Sequence, residues 1–442
     1  MTSFRIPLHR VKGTHYECAH TIGILTHEVI RHRIANDLTY LSKLFTFVQT
    51  DDGRRLYQDF VEKIRLLYPW YWDEIRGLAD GSNIALEQIL VLNFLNETRT
   101  AYRLSEEKKN SDNETGEKDH SATLFTTSYL VEADIQSSKY NDDKRESPNE
   151  KFIAFCYAGS IPGNAFGVNK HGFACSLNGL YPNFVGHGRL PRQIVNRALL
   201  SIQNEDELDK LLQSSPIAYG FCINGGFIHQ SQYLLNYELG PNLNIDNENY
   251  ISKHLIINSE ETVEKEKNFS TALNFLVHYN HYEHLNDVII QQKALESSYS
   301  RWRRAQEIGE IFTIDDALSL LGDDKNQLFP IFRLPNQTNI NSATLCTVHI
   351  NFLTLELTVY QSNPKEKNQT TLIYNLGELL TLERSQALKT YFVLSIMFLS
   401  NLKHNLILTS QIHTHPNTQW FYFTFSLMCC LHFLHVSIVI FP

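Results

Sequence analysis

The apolar pattern of this 442-residue chain changes near Lys151, from steps of three and four to steps of two, and that switch restricts the fold more than any other feature. Before it, Ile30, Ile34, Leu38, Leu41 and Leu44, then Leu56, Phe60, Ile64 and Leu67, lay apolar stripes along two helices. A third helix is expected over 85–94, after a turn at Gly77, Gly81 and Ser82. Beyond Lys151, FIAFCYAGSIPGNAFGVNKHGFACSLNGLYP predicts three short strands, with Asn169-Lys170-His171-Gly172 as a hairpin turn. A helix over 192–212 follows, then strands over 220–226, 233–238 and 254–258. Helices over 298–310 and 315–321 come next, and ATLCTVHINFLTLELTVYQSN supplies two long alternating strands. This succession argues for an α+β protein with antiparallel strands between helical layers.

Two polar stretches interrupt the pattern. Residues 98–122 contain almost no core-forming side chain and read as a mobile surface loop, and residues 137–151 form a second polar patch. The short apolar run 124–135 lies between them.

The end of the chain differs in kind. From Tyr391 onward Lys403 is the one formal charge, against 20% charged residues overall, and residues 420–440 form an apolar, aromatic-rich run long enough to span a bilayer. A tail anchor, a disordered tail and a misassigned final exon are the readings of this segment. Its aromatic and Thr content suits strands as well as helices.

A formal charge of −9 with no basic face argues against nucleic acid as a partner. Seven cysteines without regular spacing and without a CxxC pair point to reduced thiols in the cytoplasm, and the N-terminus has no apolar signal segment. Neither a cofactor motif nor a metal set is expected. In GTHYECAHTIG, Cys18 stands with His15 and His20, yet positions i, i+3 and i+5 do not share one helical face. Cys18 therefore reads as a small buried hydrophobe.

Three blocks, GTHYECAHTIG, EIRGLADGSNIALEQILVLN and FCYAGSIPGNAFGVNKHGFACSLN, together resemble the penicillin acyltransferase and β-alanyl-dopamine hydrolase family of N-terminal-nucleophile hydrolases, in its animal branch. GRLPRQIVNRALLSIQNEDELDKLL, HYNHYEHL with SSYSRWRRAQEI, and ATLCTVHINFLTLELTVYQSNP extend the likeness in family order over residues 10–380. The resemblance implies a four-layer αββα sandwich with a helical N-terminal portion. The division it implies is 1–120 for that portion, 121–384 for the catalytic-type core and 385–442 for a tail outside the match. It further implies autoproteolysis before a Cys, whose thiol becomes the nucleophile and whose α-amine, with a pKa of ~7.7–8.0, becomes the base.

The chain departs from that pattern at the decisive place. The family's Gly-Cys step should follow Asn93 within a few tens of residues, but no Cys lies between Cys18 and Cys156 and none is preceded by Gly. Ser121 is the substitute candidate by position, with a polar loop serine as the plain alternative; Cys156, Cys175 and Cys222 read as core. By resemblance Asn280 donates to the oxyanion of the tetrahedral intermediate, and Arg301 binds substrate or braces the site; a turn residue and a solvated helix face are the plain alternatives. The implied activity is cleavage of a small N-acyl amine through an acyl-enzyme, inactive in this form for want of the nucleophile. A pseudoenzyme that binds or regulates on the same scaffold is the alternative, and the tail leaves a membrane partner open.

Overall fold

The computed structural model describes residues 6–109, 128–139, 145–230, 233–242, 248–257, 276–292, 295–311, 313–334, 343–366 and 371–380. Strand β1 (Leu8–Gly13) leads into helix α1 (His15–Asn36). Thr14 and Glu17 close a capping box there: the Thr14 hydroxyl accepts from the Glu17 N–H, and the Thr14 N–H donates to the Glu17 carboxylate at 2.9 Å. THYE is thus a helix start. Helices α2 (Leu38–Phe47), α3 (Asp51–Leu67), α4 (Pro69–Ser82), α5 (Leu86–Asn93) and α6 (Leu95–Lys109) follow.

Two expectations fail here for physical reasons. The turn placed at Gly77 and Gly81 is helix α4, and the chain reverses only at Asn83, whose φ is +53°. The glycines serve contact between helices. A Cβ on Gly81 would lie 2.0 Å from the His20 carbonyl oxygen, one on Gly77 2.4 Å from that of Tyr16, and one on Gly23 2.7 Å from that of Leu78. Backbone-to-backbone packing of α1 on α4 requires residues without side chains there.

The expected mobile loop at 98–122 is helical through Lys109; residues 110–127, Ser121 included, lie outside the described residues. Helix α6 anchors itself with polar groups in place of apolar ones. The Glu97 carboxylate accepts from the Arg192 N–H at 2.8 Å, Thr98 pairs with the Tyr57 hydroxyl, and Thr100 pairs with the Tyr219 hydroxyl at 2.8 Å. Hydropathy does not register such anchors.

The main sheet contains β1, β2 (Ser128–Ile135), β3 (Glu150–Tyr157), β4 (Phe166–Asn169), β5 (Phe173–Gly179), β6 (Phe221–Phe227), β7 (Tyr233–Gly240) and β8 (Tyr250–Ile257), in that order across the sheet. All neighbours are antiparallel except β1 and β2, which run parallel with Leu8 opposite Leu130. The β4–β5 turn is the expected one, with Gly172 at φ +82° and Asn169 Oδ1 accepting from the His171 and Phe173 N–H groups. The helix expected over 192–212 is two, α7 (Arg192–Ala198) and α8 (Glu205–Ser214), because Asn204 caps the second through the Glu207 N–H. After β8 come α9 (Glu296–Ile308), α10 (Ile314–Leu321) and a second antiparallel sheet of β9 (Thr347–Asn351), β10 (Glu356–Tyr360) and β11 (Thr371–Asn375).

Each face of the main sheet builds its own core. Phe173, Cys175, Leu177, Phe221, Ile223 and Leu235 pack toward α1–α8. Leu130, Phe155, Phe166 and Ala174 pack against Val348, Ile350 and Leu357 of the second sheet. Asn363, just past β10, donates to the Gly322 carbonyl at 3.0 Å and ties the end of α10 to that second sheet. The architecture is the expected α+β one: helices on one face of the large sheet and the small sheet on the other, with α9 and α10 sharing a smaller cluster with Tyr279 and Ile331. Residues 381–442 lie outside the described residues, and among those described no helix is long and apolar enough to cross a membrane.

The helical layer is fastened to the sheet by buried charge. Arg197 bridges Glu74, at 2.6 and 2.9 Å, and Glu150; His15 adds 2.6 Å to Glu74, and the Tyr71 hydroxyl donates to Glu150 at 3.0 Å. His15, Glu74 and Glu150 hold ligand-type atoms within 4.8 Å of one another. The Arg197 guanidinium already occupies both carboxylates, so this is an ion-pair network.

Candidate active site

Along three neighbouring strands, inward positions that should carry apolar side chains carry polar ones. Ser176 and Asn178 on β5, Asn224 and Cys222 on β6, and Asn236 and Glu238 on β7 stand in two cross-strand rows on the face turned toward the second sheet. Ser176, Asn224 and Asn236 make one row; Asn178, Cys222 and Glu238 make the other. Side-chain amides link them. Asn224 Nδ2 donates to Asn178 Oδ1 at 2.8 Å, and Asn236 Nδ2 donates to Asn224 Oδ1 at 2.8 Å and to Cys222 Sγ at 3.2 Å.

This ladder is incompletely satisfied. Ser176 Oγ, Asn178 Nδ2 and Asn236 Oδ1 are buried without a hydrogen-bond partner among the described residues, as is Ser128 Oγ at the first residue of β2. Buried orphan groups each cost about 1–3 kcal/mol, so several on one sheet face point to a site rather than to core. The strand registers set Ser128, Tyr157, Asn178, Cys222 and Glu238 at one end of the sheet.

The segment 276–292 and the start of α9 close that end. Tyr282 and Ile289 pack on Leu180 and Cys222. Asn280 is held from three sides: its N–H donates to Ser298 Oγ at 2.9 Å, its Nδ2 donates to the Gly179 carbonyl at 3.1 Å, and its Oδ1 accepts from Arg301 Nη2 at 3.0 Å. The two residues singled out in the sequence, 21 positions apart, therefore meet in a direct hydrogen bond. Both are buried.

Arg301 shares its surroundings with a second guanidinium. Arg301 Nε donates to the Ser297 carbonyl at 3.2 Å, and Arg333 Nη2 donates to Ser297 Oγ at 2.6 Å. Burial and then the nearby Arg333 charge pull the Arg301 pKa down to about 9. Such a setting favours an approaching anionic or electron-rich group.

The flank of Asn280 is charged as well. His278 Nε2 donates to Glu238 Oε1 at 2.8 Å, and the Cys222 thiol stands beside the same ring without a well-aligned hydrogen bond. Burial opposes the Glu238 charge, but His278 and the backbone N–H groups of Glu283 and His284 outweigh it and hold the carboxyl down at about 2. For Cys222 burial prevails and the thiol is pushed up despite His278. Cys18, Cys156 and Cys175 are buried too, with burial pushing each to about 12, as packing cysteines should be.

Sequence reasoning missed Ser128, Ser176, Asn178, Asn224, Asn236 and Glu238. The available signal was three strands with polar residues on the side alternation assigns to the core: Ser176 and Asn178, Asn224 beside Cys222, and Asn236 and Glu238.

Residues 108–366 match the family model for acyl-coenzyme A:6-aminopenicillanic acid acyl-transferase. The β-alanyl-dopamine/carcinine hydrolase of Drosophila melanogaster is 23% identical over 380 residues, covering 82% of this chain and 94% of that protein. Among solved structures, conjugated bile acid hydrolase from Clostridium perfringens aligns with 59% of this chain and 93% of its own at 10% identity and a TM-score of 0.28. Penicillin V acylase from Agrobacterium tumefaciens aligns with 57% and 78% at 13% identity and a TM-score of 0.31.

Proposed function

The chain belongs to the acyl-coenzyme A:6-aminopenicillanic acid acyl-transferase family of acyltransferases and amide hydrolases, and from that premise we propose that it binds small N-acyl amines of the β-alanyl type and, as written, does not turn them over. The direct Asn280–Arg301 hydrogen bond at the polar end of the sheet carries this reading. A side-chain amide whose carbonyl oxygen is pinned by a guanidinium has its N–H groups aimed, which suits stabilising an oxyanion as charge develops. One of the two N–H groups is committed to Gly179; the other is assigned to substrate.

Turnover is the part this chain lacks. No Gly-Cys step lies in residues 94–155; Cys18, Cys156, Cys175 and Cys222 are thiols raised by burial inside a helix or strands, and burial raises Cys346, just ahead of β9, as well. An oxyanion site deprived of its nucleophile retains roughly 10³- to 10⁴-fold over water, orders of magnitude below an intact enzyme. Ser121, within residues 110–127, is the substitute hydroxyl nearest the expected position. A transcript carrying an extra Gly-Cys segment near codons 105–125 would replace this reading with that of an active amidohydrolase.

Two measurements on the purified full chain test it. Intact-mass analysis should give one uncut chain, and titration calorimetry with N-β-alanyldopamine or carcinine should show saturable binding without product. Two fragments divided within residues 110–127, or steady release of β-alanine, would overturn the inactive reading. No heat with either ligand would overturn the binding one.

A further inference from the structure

A carboxylate fully buried on an interior strand of the sheet needs a reason. Glu238 on β7 lies between β6 and β8 and is fully buried, a position where an ionised group is tolerated only with a complete set of partners. It has four. Oε1 accepts from His278 Nε2 at 2.8 Å and from the Glu283 N–H at 2.7 Å; Oε2 accepts from the N–H groups of His284 at 2.9 Å and Leu285 at 3.0 Å.

All four donors belong to one short segment, and they fall on both sides of Asn280: His278 precedes it, and residues 283–285 follow it. The sheet thus grips the loop at each flank through a single side chain. In between, Tyr282 donates through its hydroxyl to the Leu239 carbonyl at 3.0 Å, adding a second attachment to the same strand.

We propose that Glu238 is a positioning residue for this site: its carboxylate clamps both flanks of the segment that carries Asn280 and so fixes the direction of the Asn280 amide. The clamp acts through Asn280 and does not touch substrate, and its purpose rests on the oxyanion reading given above. The ion pair with His278 reinforces it, because charge-assisted hydrogen bonds are shorter and stronger than neutral ones. Misplacing a reacting group by about 1 Å can cost ~10²-fold, so a remote clamp of this kind has a large effect on binding of the transition state and a small one on the ground state.

The test uses the full chain, its Glu238→Ala and Glu238→Gln variants, and two probes: N-β-alanyldopamine as the amide, and its phosphonamidate analogue as the charged tetrahedral mimic. Glu238→Ala should lower affinity for the phosphonamidate ~10-fold or more while amide affinity stays within ~2-fold. Amide hydrogen exchange in residues 276–292 should quicken in the same variant while α1–α5 remain protected. Glu238→Gln retains one acceptor oxygen, so it should recover part of both effects, and it supplies the same readouts where the alanine variant does not fold.

Equal loss of both probes, or loss of neither, overturns the positioning role. Unchanged exchange across residues 276–292 overturns the clamp itself, whatever the ligands do. Failure of the unaltered chain to bind either probe overturns the oxyanion reading and with it the purpose of the clamp, while faster exchange in Glu238→Ala would still show the mechanical link.

Discussion

Single side chains in this molecule are governed by burial first and by partners second. A thiol held at about 12 is ionised to roughly one part in 10⁵ at neutral pH. Iodoacetamide should therefore leave Cys18, Cys156 and Cys175 unmodified in the folded chain and label all three after denaturation, as read by peptide mass. His281 shows the other sign. Burial, then the charge of His278, depresses it to about 4, and its Nδ1 pairs with Ser298 Oγ at 2.8 Å, beside the Asn280 backbone. A depressed pKa contributes stability that is fully present above the ordinary imidazole value of about 6.5 and is lost as pH falls through about 4, because the unfolded chain takes the proton first. The denaturation midpoint should thus fall with acidification through that window, and His281→Gln should flatten the slope there; an unchanged slope in the variant would assign the effect elsewhere.

At the scale of elements, the long periodic pieces were legible and the ones built from glycine or polar contacts were not. Helices α9 and α10 and strands β6 and β7 lie within a few residues of their expected ranges, α10 on its apolar face of Ala317, Leu318, Leu320 and Leu321 and the two strands on the apolar alternation of one face, Phe221, Ile223, Leu235 and Tyr237. Strand β1 escaped notice because LHRVKG alternates weakly and buries only Val11. Helix α6 escaped because Glu97, Thr98 and Thr100 take the buried positions. Helix α4 was broken on paper by Gly77 and Gly81, which pattern reading treats as punctuation although here they let two backbones touch. Adding a methyl at Gly81 should destabilise by ~1–3 kcal/mol or more in urea denaturation, since the obstacle is the His20 carbonyl and not a flexible side-chain end. Asn280 and Arg301 were singled out through the order of motifs. The amide ladder was not, because polar residues hidden inside apolar strands look like noise until register shows them side by side.

For the whole molecule, a few long-range fastenings reinforce the apolar core that joins the helical portion to the sheet. Arg197→Met leaves Glu74 and Glu150 buried and facing each other, and breaking a buried network in this way costs about 3–5 kcal/mol. The expected outcome is a large fall in the urea midpoint; a loss below ~1 kcal/mol would mean that the network is dispensable. The parallel ladder of β1 on β2 joins residues about 120 positions apart, and Leu8 through Gly13 pair one for one with Leu130 through Ile135. The earliest strand is thus sewn to the far side of any break made between Lys109 and Ser128. A protease nick there would yield two polypeptides on a denaturing gel and a single particle in gel filtration. The same halves, expressed as separate chains, should reassemble by fragment complementation, with the first dozen residues serving as the seam.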